Sequence, residues 1–408
     1  MKCRFCKTEL TDVFIDLGNS PASNSFLSRE QLNEPEIFYP LKVYTCPSCF
    51  LVQVDEYKKS DAIFNSGYVY FSSYSTTWLQ HSRKYTDKMV ERFGYNEGSK
   101  VIEIASNDGY LLQYFRDKKI PVLGIEPTAN TAEIAIGKGI ETVVDFFGVR
   151  LARQLADKGV KADLLLGNNV LAHVPDIVDF VGGMKILLKE TGVITMEFPH
   201  LMQLVDHRQF DTIYHEHFSY LSFHTVQKIF GSQGLELFDV DELPTHGGSL
   251  RIYARHREDV TKPISANVAA LLEKESAAGM TSLAYYDHFQ QKAQSVKWEL
   301  ITFLVQQKLA GKKLAAYGAA AKGNTLLNYC GIKNDLLDYV VDASPHKQGK
   351  WLPASHIPVV SEDVLKTGRP DYVLILPWNL REEITSQLAY IKEWGGQFVV
   401  PIPHLQLI

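Results

Sequence analysis

Val101-Ile-Glu-Ile-Ala-Ser-Asn-Asp-Gly109 reads as a short buried strand running into a tight turn, and a helical run follows it. After the next apolar run comes Gly124-Ile-Glu126-Pro127, a second strand ending on a carboxylate. From Lys100 to about His256 the same alternation repeats, with strand candidates at Val101–Ala105, Val122–Glu126, Glu141–Val144, Asp163–Gly167, Val193–Phe198, Leu235–Val240 and Leu250–Ala254. Strands alternating with helices are the mark of a doubly wound parallel sheet with helices on both faces. The fold class expected is therefore α/β.

Working outward, residues 264 to 310 are rich in Ala, Leu, Glu, Gln and Lys and predict long helices. Beyond them Lys313–Gly318, Asp338–Asp342, Tyr372–Leu376 and Gln397–Pro401 alternate with helical stretches, which predicts a second, smaller Rossmann-like sheet. Upstream, an aromatic cluster from Tyr68 to Tyr74 leads into a helix that stops at Gly94. The first sixty residues carry only short β-type runs (Val13–Leu17, Phe38–Tyr44, Leu51–Val54) and two matched pairs, Cys3-x-x-Cys6 and Cys46-x-x-Cys49. Two such pairs complete a four-thiolate zinc site, and a closed thiolate shell is structural because it leaves no open position for substrate. Two separate disulfides are the alternative. Cys330 is isolated and reads as a core residue. The expected division is 1–70 for a zinc-binding module, 71–260 for the central α/β domain, and 261–408 for a helical bridge with the Rossmann-like domain.

At 46.1 kDa the chain is too large for one ordinary core, which agrees with several domains. No apolar run reaches the length of a membrane span, and Met1-Lys2-Cys3-Arg4 is not a secretion signal. Zinc-binding thiols need a reducing compartment, so a cytoplasmic protein is expected. A net charge of −5 argues against a nucleic-acid scaffold, while leaving room for a local basic pocket. Neither nucleic acid nor membrane is expected as a partner, and a monomer is the default.

Four motifs carry chemistry. In open α/β sheets ligands bind outside the carboxyl ends of the strands. A dinucleotide site would want Gly-x-Gly-x-x-Gly, which is missing. The acidic Glu103 and the turn ending in Gly109 look instead like an S-adenosylmethionine motif, with Ala105 and Asn107 departing from its usual Gly-x-Gly. Glu126 is placed for ribose hydroxyls, Asp145 and Phe146 for adenine, and Asn168, with His173 just beyond, faces the methyl donor. Tyr214-His-Glu216-His217 follows the fifth strand on the expected active-site rim, and offers a base, an orienting acid and an oxyanion donor. It lacks the i, i+4 spacing of a zinc hydrolase, and a solvated polar turn is its bland reading. His246-Gly-Gly-Ser-Leu-Arg251 exposes backbone amides between two basic side chains, suiting an oxyanion or sugar hydroxyl, or serving merely as a hairpin entry. Tyr317-Gly-Ala-Ala-Ala-Lys322-Gly-Asn324, answered by Asp342 to Lys347, is a strand-to-helix turn suited to a diphosphate, or an ordinary turn with a solvated lysine.

In this order the four features resemble the S-adenosylmethionine-dependent nucleotide-sugar C-methyltransferases of branched-deoxysugar biosynthesis, over essentially the whole chain. The resemblance rests on the cysteine pairs, Tyr214-x-Glu216-His217, His246-Gly247-Gly248 and Gly318-x-x-x-Lys322-Gly323. It implies a class I methyltransferase fold between a zinc module and a C-terminal Rossmann-like domain. It also implies methyl transfer to C-3 of a nucleotide-diphosphate 4-keto-6-deoxysugar, with His217, Glu216 and Tyr214 catalytic. Tyr68 and His173 would line the sugar pocket, and His246, Arg251, Lys322, Asn324 and Lys347 would bind substrate. An O- or N-methyltransferase on a small metabolite, and a non-catalytic zinc and nucleotide-binding module, are the rival readings.

Overall fold

The computed structural model describes residues 1–59 and 71–408, and builds three sheets. Tyr68 lies outside the described residues.

At the N-terminus β1 (Asp12–Ser20), β2 (Tyr39–Thr45) and β3 (Val52–Val54) form an antiparallel sheet. Each cysteine pair forms the same knuckle. The amide of Lys7 donates to the Cys3 carbonyl and that of Phe50 to the Cys46 carbonyl, both at 3.0 Å, and both residues take a left-handed backbone (φ 65° and 61°). The two knuckles face each other, so the four sulfurs lie within 4.8 Å of one another, with Cys3 to Cys49 at 3.6 Å and Cys6 to Cys46 at 3.4 Å. All four are free thiols. Disulfide pairing is thereby replaced by a tetrahedral thiolate set, in which zinc at about 2.3 Å from each sulfur spaces the sulfurs by about 3.8 Å. Gln53 Nε2 donates to Cys3 Sγ at 3.2 Å, steadying one thiolate from behind.

The central sheet comprises β4 (Val101–Ile104), β5 (Val122–Ile125), β6 (Thr142–Val143), β7 (Ala162–Asn168) and β8 (Leu188–Pro199). After β9 (Ser219–Tyr220), it gains β10 (Leu235–Leu243) and β11 (Ser249–His256). Its order is β10-β11-β8-β7-β4-β5-β6, with β11 antiparallel between β8 and β10 and the strands from β8 to β6 parallel. All seven expected strands are present. The order reverses between β4 and β7, which opens a crevice at their carboxyl ends. The helix Thr76–Phe93 starts on Ser75, whose hydroxyl accepts the Trp78 amide, and stops at left-handed Gly94 (φ 70°), as the sequence predicts. β9 leaves this sheet altogether and pairs antiparallel with β3 of the zinc module.

The third sheet is β12 (Leu314–Tyr317), β13 (Val340–Val341), β14 (Val359–Val360), β15 (Tyr372–Ile375), β16 (Gln397–Val400) and β17 (Gln406–Leu407). Its order is β14-β13-β12-β15-β16-β17, parallel except for β17. The bridging helix Phe289–Leu309 buries Phe289, Ala293, Val296, Leu300 and Leu304, a helical stripe that packs on this sheet. Phe289 also stacks on Phe14 of the zinc module, ring centroids 4.6 Å apart. The zinc module and the C-terminal sheet thus share one apolar core, in which each fully buried large side chain contributes about 1.5–3 kcal/mol. Leu27 and Trp351 add a two-bond bridge between the same units. Among the described residues no helix is long and apolar enough to cross a membrane.

Because the thiolate site organises a module with little helix of its own, Cys46→Ser is expected to abolish bound zinc, measured by elemental analysis. It is also expected to lower the thermal midpoint by about 5 °C or more, given that structural zinc supplies on the order of 10 kcal/mol of folding energy.

Candidate active site

A cavity of about 390 Å³ runs from the carboxyl ends of β4, β5 and β7 to the start of the helix Ala321–Cys330, and all three units contribute to its wall.

At the first end, the turn after β4 carries Ala105 and Asn107 in left-handed backbone (φ 57° and 49°). These are the positions where a Gly-x-Gly would stand, so the conformation is kept although the glycines are not, at about 1–2 kcal/mol for each non-glycine residue. The carboxylate of Glu126, at the end of β5, accepts the amides of Asn107 (3.0 Å) and Thr128 (2.9 Å), and burial raises its pKa. Asn168, Asp145 and Phe146 line the same end. Asp145 is also gripped by Arg150 at 2.6 Å. A buried carboxylate, a left-handed turn and an aromatic face at adjoining strand ends fit an adenosine-bearing ligand. Two expected contributors do not reach the cavity. Glu103 lies inside β4, where burial pushes its carboxyl well above the usual range against the pull of the Tyr110 hydroxyl. Gly109 serves packing: a Cβ there would stand 2.4 Å from Ile140 Cδ1.

In the middle of the cavity, His217 Nδ1–H donates to the Thr212 carbonyl at 2.8 Å. A carbonyl only accepts, so the neutral ring keeps its lone pair on Nε2, which takes the Tyr214 hydroxyl at 2.8 Å. Burial and the nearby His173 hold the His217 pKa well below its normal range, so the ring is a free base at neutral pH. The His173 ring stands edge-on at 4.6 Å, pushed down to about 4 by burial although it hydrogen-bonds the Glu216 backbone. The expectation that Glu216 orients His217 is corrected: the Thr212 carbonyl does so. The Glu216 carboxylate instead accepts both bonds from Asn24 Nδ2 of the zinc module, at 2.8 and 3.0 Å.

His246 also faces the cavity, where Asn169 Nδ2 donates to its Nε2 at 2.8 Å. Burial and the Lys322 charge push it down to about 4. Its glycine neighbours exist for packing. A Cβ on Gly247 (φ 87°) would lie 2.5 Å from the Trp378 ring of the C-terminal unit, and one on Gly248 (φ 116°) would lie 2.5 Å from Gln203 Cγ. Arg251, expected to bind substrate, is instead buried in the sheet. It bonds Glu197, its cross-strand neighbour on β8, at 2.5 Å. Burial pushes Glu197 up, but His81 and Arg251 overcome it and hold the carboxylate at about 2.

At the far end, the helix Ala321–Cys330 begins on Ala320 without a side-chain cap and presents its first amides with Lys322. Lys322 Nζ bonds Asn379 Oδ1 at 2.7 Å and lies 4.7 Å over the Trp378 ring. Burial lowers its pKa against the pull of Asp211. Lys347 joins the wall, paired with the Ala319 carbonyl at 2.9 Å and with Asp342 at 3.4 Å. Uncapped amides and two lysines fit an anion. Asn324, expected here, points away and donates to the Ser23 carbonyl at 2.5 Å, tying the helix to the zinc module.

Sequence reasoning passed over Asn24, Trp78, Thr212 and Asp211. Trp78 lines the cavity, with His81 stacked on it at 4.9 Å and His246 edge-on at 5.1 Å. Asp211 accepts the Trp378 indole N–H at 2.8 Å and is raised by burial to about 6. Only the aromatic Trp78, just inside a capped helix beside the aromatic cluster, carried a local signal.

Three family models match in order: "Putative zinc binding domain" over residues 3–64, "Methyltransferase domain" over 78–240, and "C-methyltransferase C-terminal domain" over 244–403. The C-methyltransferase NovU of Streptomyces niveus is 33% identical over 407 residues, covering 100% of this chain and 96% of that one. A ubiquinone biosynthesis O-methyltransferase of Chelativorans sp. (strain BNC1) is 29% identical over 99 residues, 24% of this chain and 39% of that one. The structure of magnesium protoporphyrin IX methyltransferase from Synechocystis PCC 6803, solved with bound SAH, aligns at 14% identity and a TM-score of 0.35, over 44% of this chain and 83% of that one. The cofactor-shaped strand ends, the four-thiolate module and the full-length relative together make this chain a member of the S-adenosylmethionine-dependent C-methyltransferase family with an N-terminal zinc-binding module.

Proposed function

We propose that the methyl acceptor is C-3 of a nucleotide-diphosphate 4-keto-6-deoxysugar and that His217 removes the C-3 proton. The observation that carries the reading is the fixed His217 tautomer. A neutral ring with its Nε2 lone pair held ready faces a cavity with nucleoside-shaped strand ends on one side and uncapped amides with lysines on the other. Carbon is a poor nucleophile, so C-methylation needs an acidified C–H, and a neighbouring ketone supplies that acidity. Tyr214 covers Nε2 with its hydroxyl. Turning its hydroxyl to the C-4 ketone oxygen uncovers the base and supplies a donor to the enolate as charge develops there.

Bound S-adenosylmethionine supplies an electrophilic methyl group. Glu126 and Asn168, with Ala105, Asn107, Asp145 and Phe146 around them, would hold it. Lys322, Lys347 and the amides of residues 321–322 would hold the sugar nucleotide's diphosphate, and His173 and His246 would flank the sugar. The adenosine-bearing donor and the nucleotide-bearing acceptor then each have their own domain, which supports the division at 1–70, 71–260 and 261–408. The free thiols suit a reducing compartment, and we place the protein in the cytoplasm.

Mass spectrometry of a panel of dTDP-, GDP- and CDP-linked 4-keto-6-deoxysugars, incubated with protein and S-adenosylmethionine, tests the acceptor. A methyl on C-3 is expected, and a methyl on oxygen or nitrogen overturns the reading. His217→Asn should lower kcat by about 10²–10⁴-fold, with S-adenosylmethionine affinity unchanged by calorimetry. Near-normal turnover would exclude His217 as the base. Lys322→Met should weaken sugar-nucleotide binding about 10- to 100-fold, the worth of a charge-assisted bond of about 1.5–3 kcal/mol, again without effect on S-adenosylmethionine.

A further inference from the structure

The zinc module does more than stand beside the reaction cavity. Its loop after β1 carries Ser23 and Asn24, and Asn24 reaches the cavity wall. The Ser23 carbonyl accepts from Asn324 of the anion-site helix, while the Asn24 carboxamide donates to both oxygens of Glu216, one residue before His217. We infer that Asn24 is a positioning residue for the methyl transfer, acting through the Glu216 carboxylate that it fixes on the cavity wall. The inference rests on the reading above, in which the segment from Tyr214 to His217 performs the chemistry.

Three observations support a role beyond bracing. First, Glu216 is buried to 4% exposure and lines the cavity, so its charge acts in a low dielectric on whatever is bound there. Second, among the described residues Asn24 makes the side-chain hydrogen bonds that this carboxylate accepts. Among the described residues the other groups facing it are few. Lys58 of the zinc module acts at longer range, His173 bonds the Glu216 backbone, and His217 is turned to Thr212 and Tyr214. Third, burial raises Glu216 to about 7 while the Asn24 bonds and Lys58 pull it down. Its ionisation at neutral pH therefore depends on an amide supplied from the zinc module. His217 and His173 titrate well below that range, and Asp211, on the Trp378 side, at about 6.

The pH dependence of kcat tests this in the full-length protein, saturated with S-adenosylmethionine and whichever ketosugar of the panel above is methylated. Hydrogen bonds to the ionised form lower a carboxyl pKa, so their loss raises it. Asn24→Ala should move the acidic limb up by about one pH unit, which lowers kcat at pH 7 about five-fold. S-adenosylmethionine affinity and a zinc content of one per chain should persist. The near-isosteric Asn24→Asp sets a second carboxylate against the first and should move the limb at least as far. Glu216→Gln should remove the limb. If the limb vanishes in Glu216→Gln but stays at its wild-type position in both Asn24 variants, Asn24 is only a brace and the inference fails. If Asn24→Asp loses zinc, Asn24 is a framework residue and the inference fails equally. A wild-type limb in Glu216→Gln would remove Glu216 from the reaction, and this inference with it, while leaving the His217 assignment standing.

Discussion

The structure depends on one short segment, Asp211 to Tyr220, several of whose buried polar groups find their partners in the two neighbouring units. The C-terminal unit answers two of them: Trp378 donates to the Asp211 carboxylate and the Thr325 hydroxyl to the Ile213 carbonyl, at 2.8 and 2.9 Å. The zinc module answers three more. Asn24 takes Glu216, the Pro40 carbonyl accepts His215 Nε2–H at 3.2 Å, and β3 pairs with Ser219 and Tyr220. Leaving any one of these groups buried and unpaired would cost about 1–3 kcal/mol, so the set helps fix how the three sheets sit around one cavity. The residues proposed to carry the chemistry lie on a loop, but on a loop held from both sides.

Desolvation dominates the electrostatics of that cavity. His173, His217 and His246 are all held neutral by burial, and Lys322 is lowered by it, while Glu216 and Asp211 are raised. The imidazoles are therefore uncharged, while Lys322 keeps the positive charge that helps push His246 down. Charge arriving on a bound ligand would act strongly on each of these groups, because they are buried in surroundings of low dielectric.

Local pattern made much of this legible. The seven central strands are apolar runs bounded by turns, the cysteine pairs repeat one spacing, and Tyr214-His-Glu216-His217 concentrates polar groups past a strand end. What escaped was set by distance along the chain. β9, β14 and β17 are two residues each, too short for any periodicity, and exist because a neighbouring strand offers bonds. Arg251 looked like a ligand for an anion because Glu197, its neighbour across the sheet, is far away in sequence. Asn24 sits in an ordinary polar loop, and only the fold brings it to Glu216. Glu103, Gly109 and Asn324 were drawn into the site by membership of a motif, whereas Gly109 serves packing, Glu103 lies inside its strand and Asn324 bonds the Ser23 carbonyl.

The contact between Gly247 and Trp378 has an evolutionary corollary. The hairpin between β10 and β11 belongs to the methyltransferase sheet, yet the hydrogen atom in place of a side chain at Gly247 leaves the hollow that the indole fills. Rossmann-like units are commonly treated as interchangeable parts, gained and exchanged by recombination. Here the two have been moulded as a pair. A recombinant bearing a foreign C-terminal unit would inherit a socket without its plug, together with a carboxylate at Asp211 that has lost its indole donor.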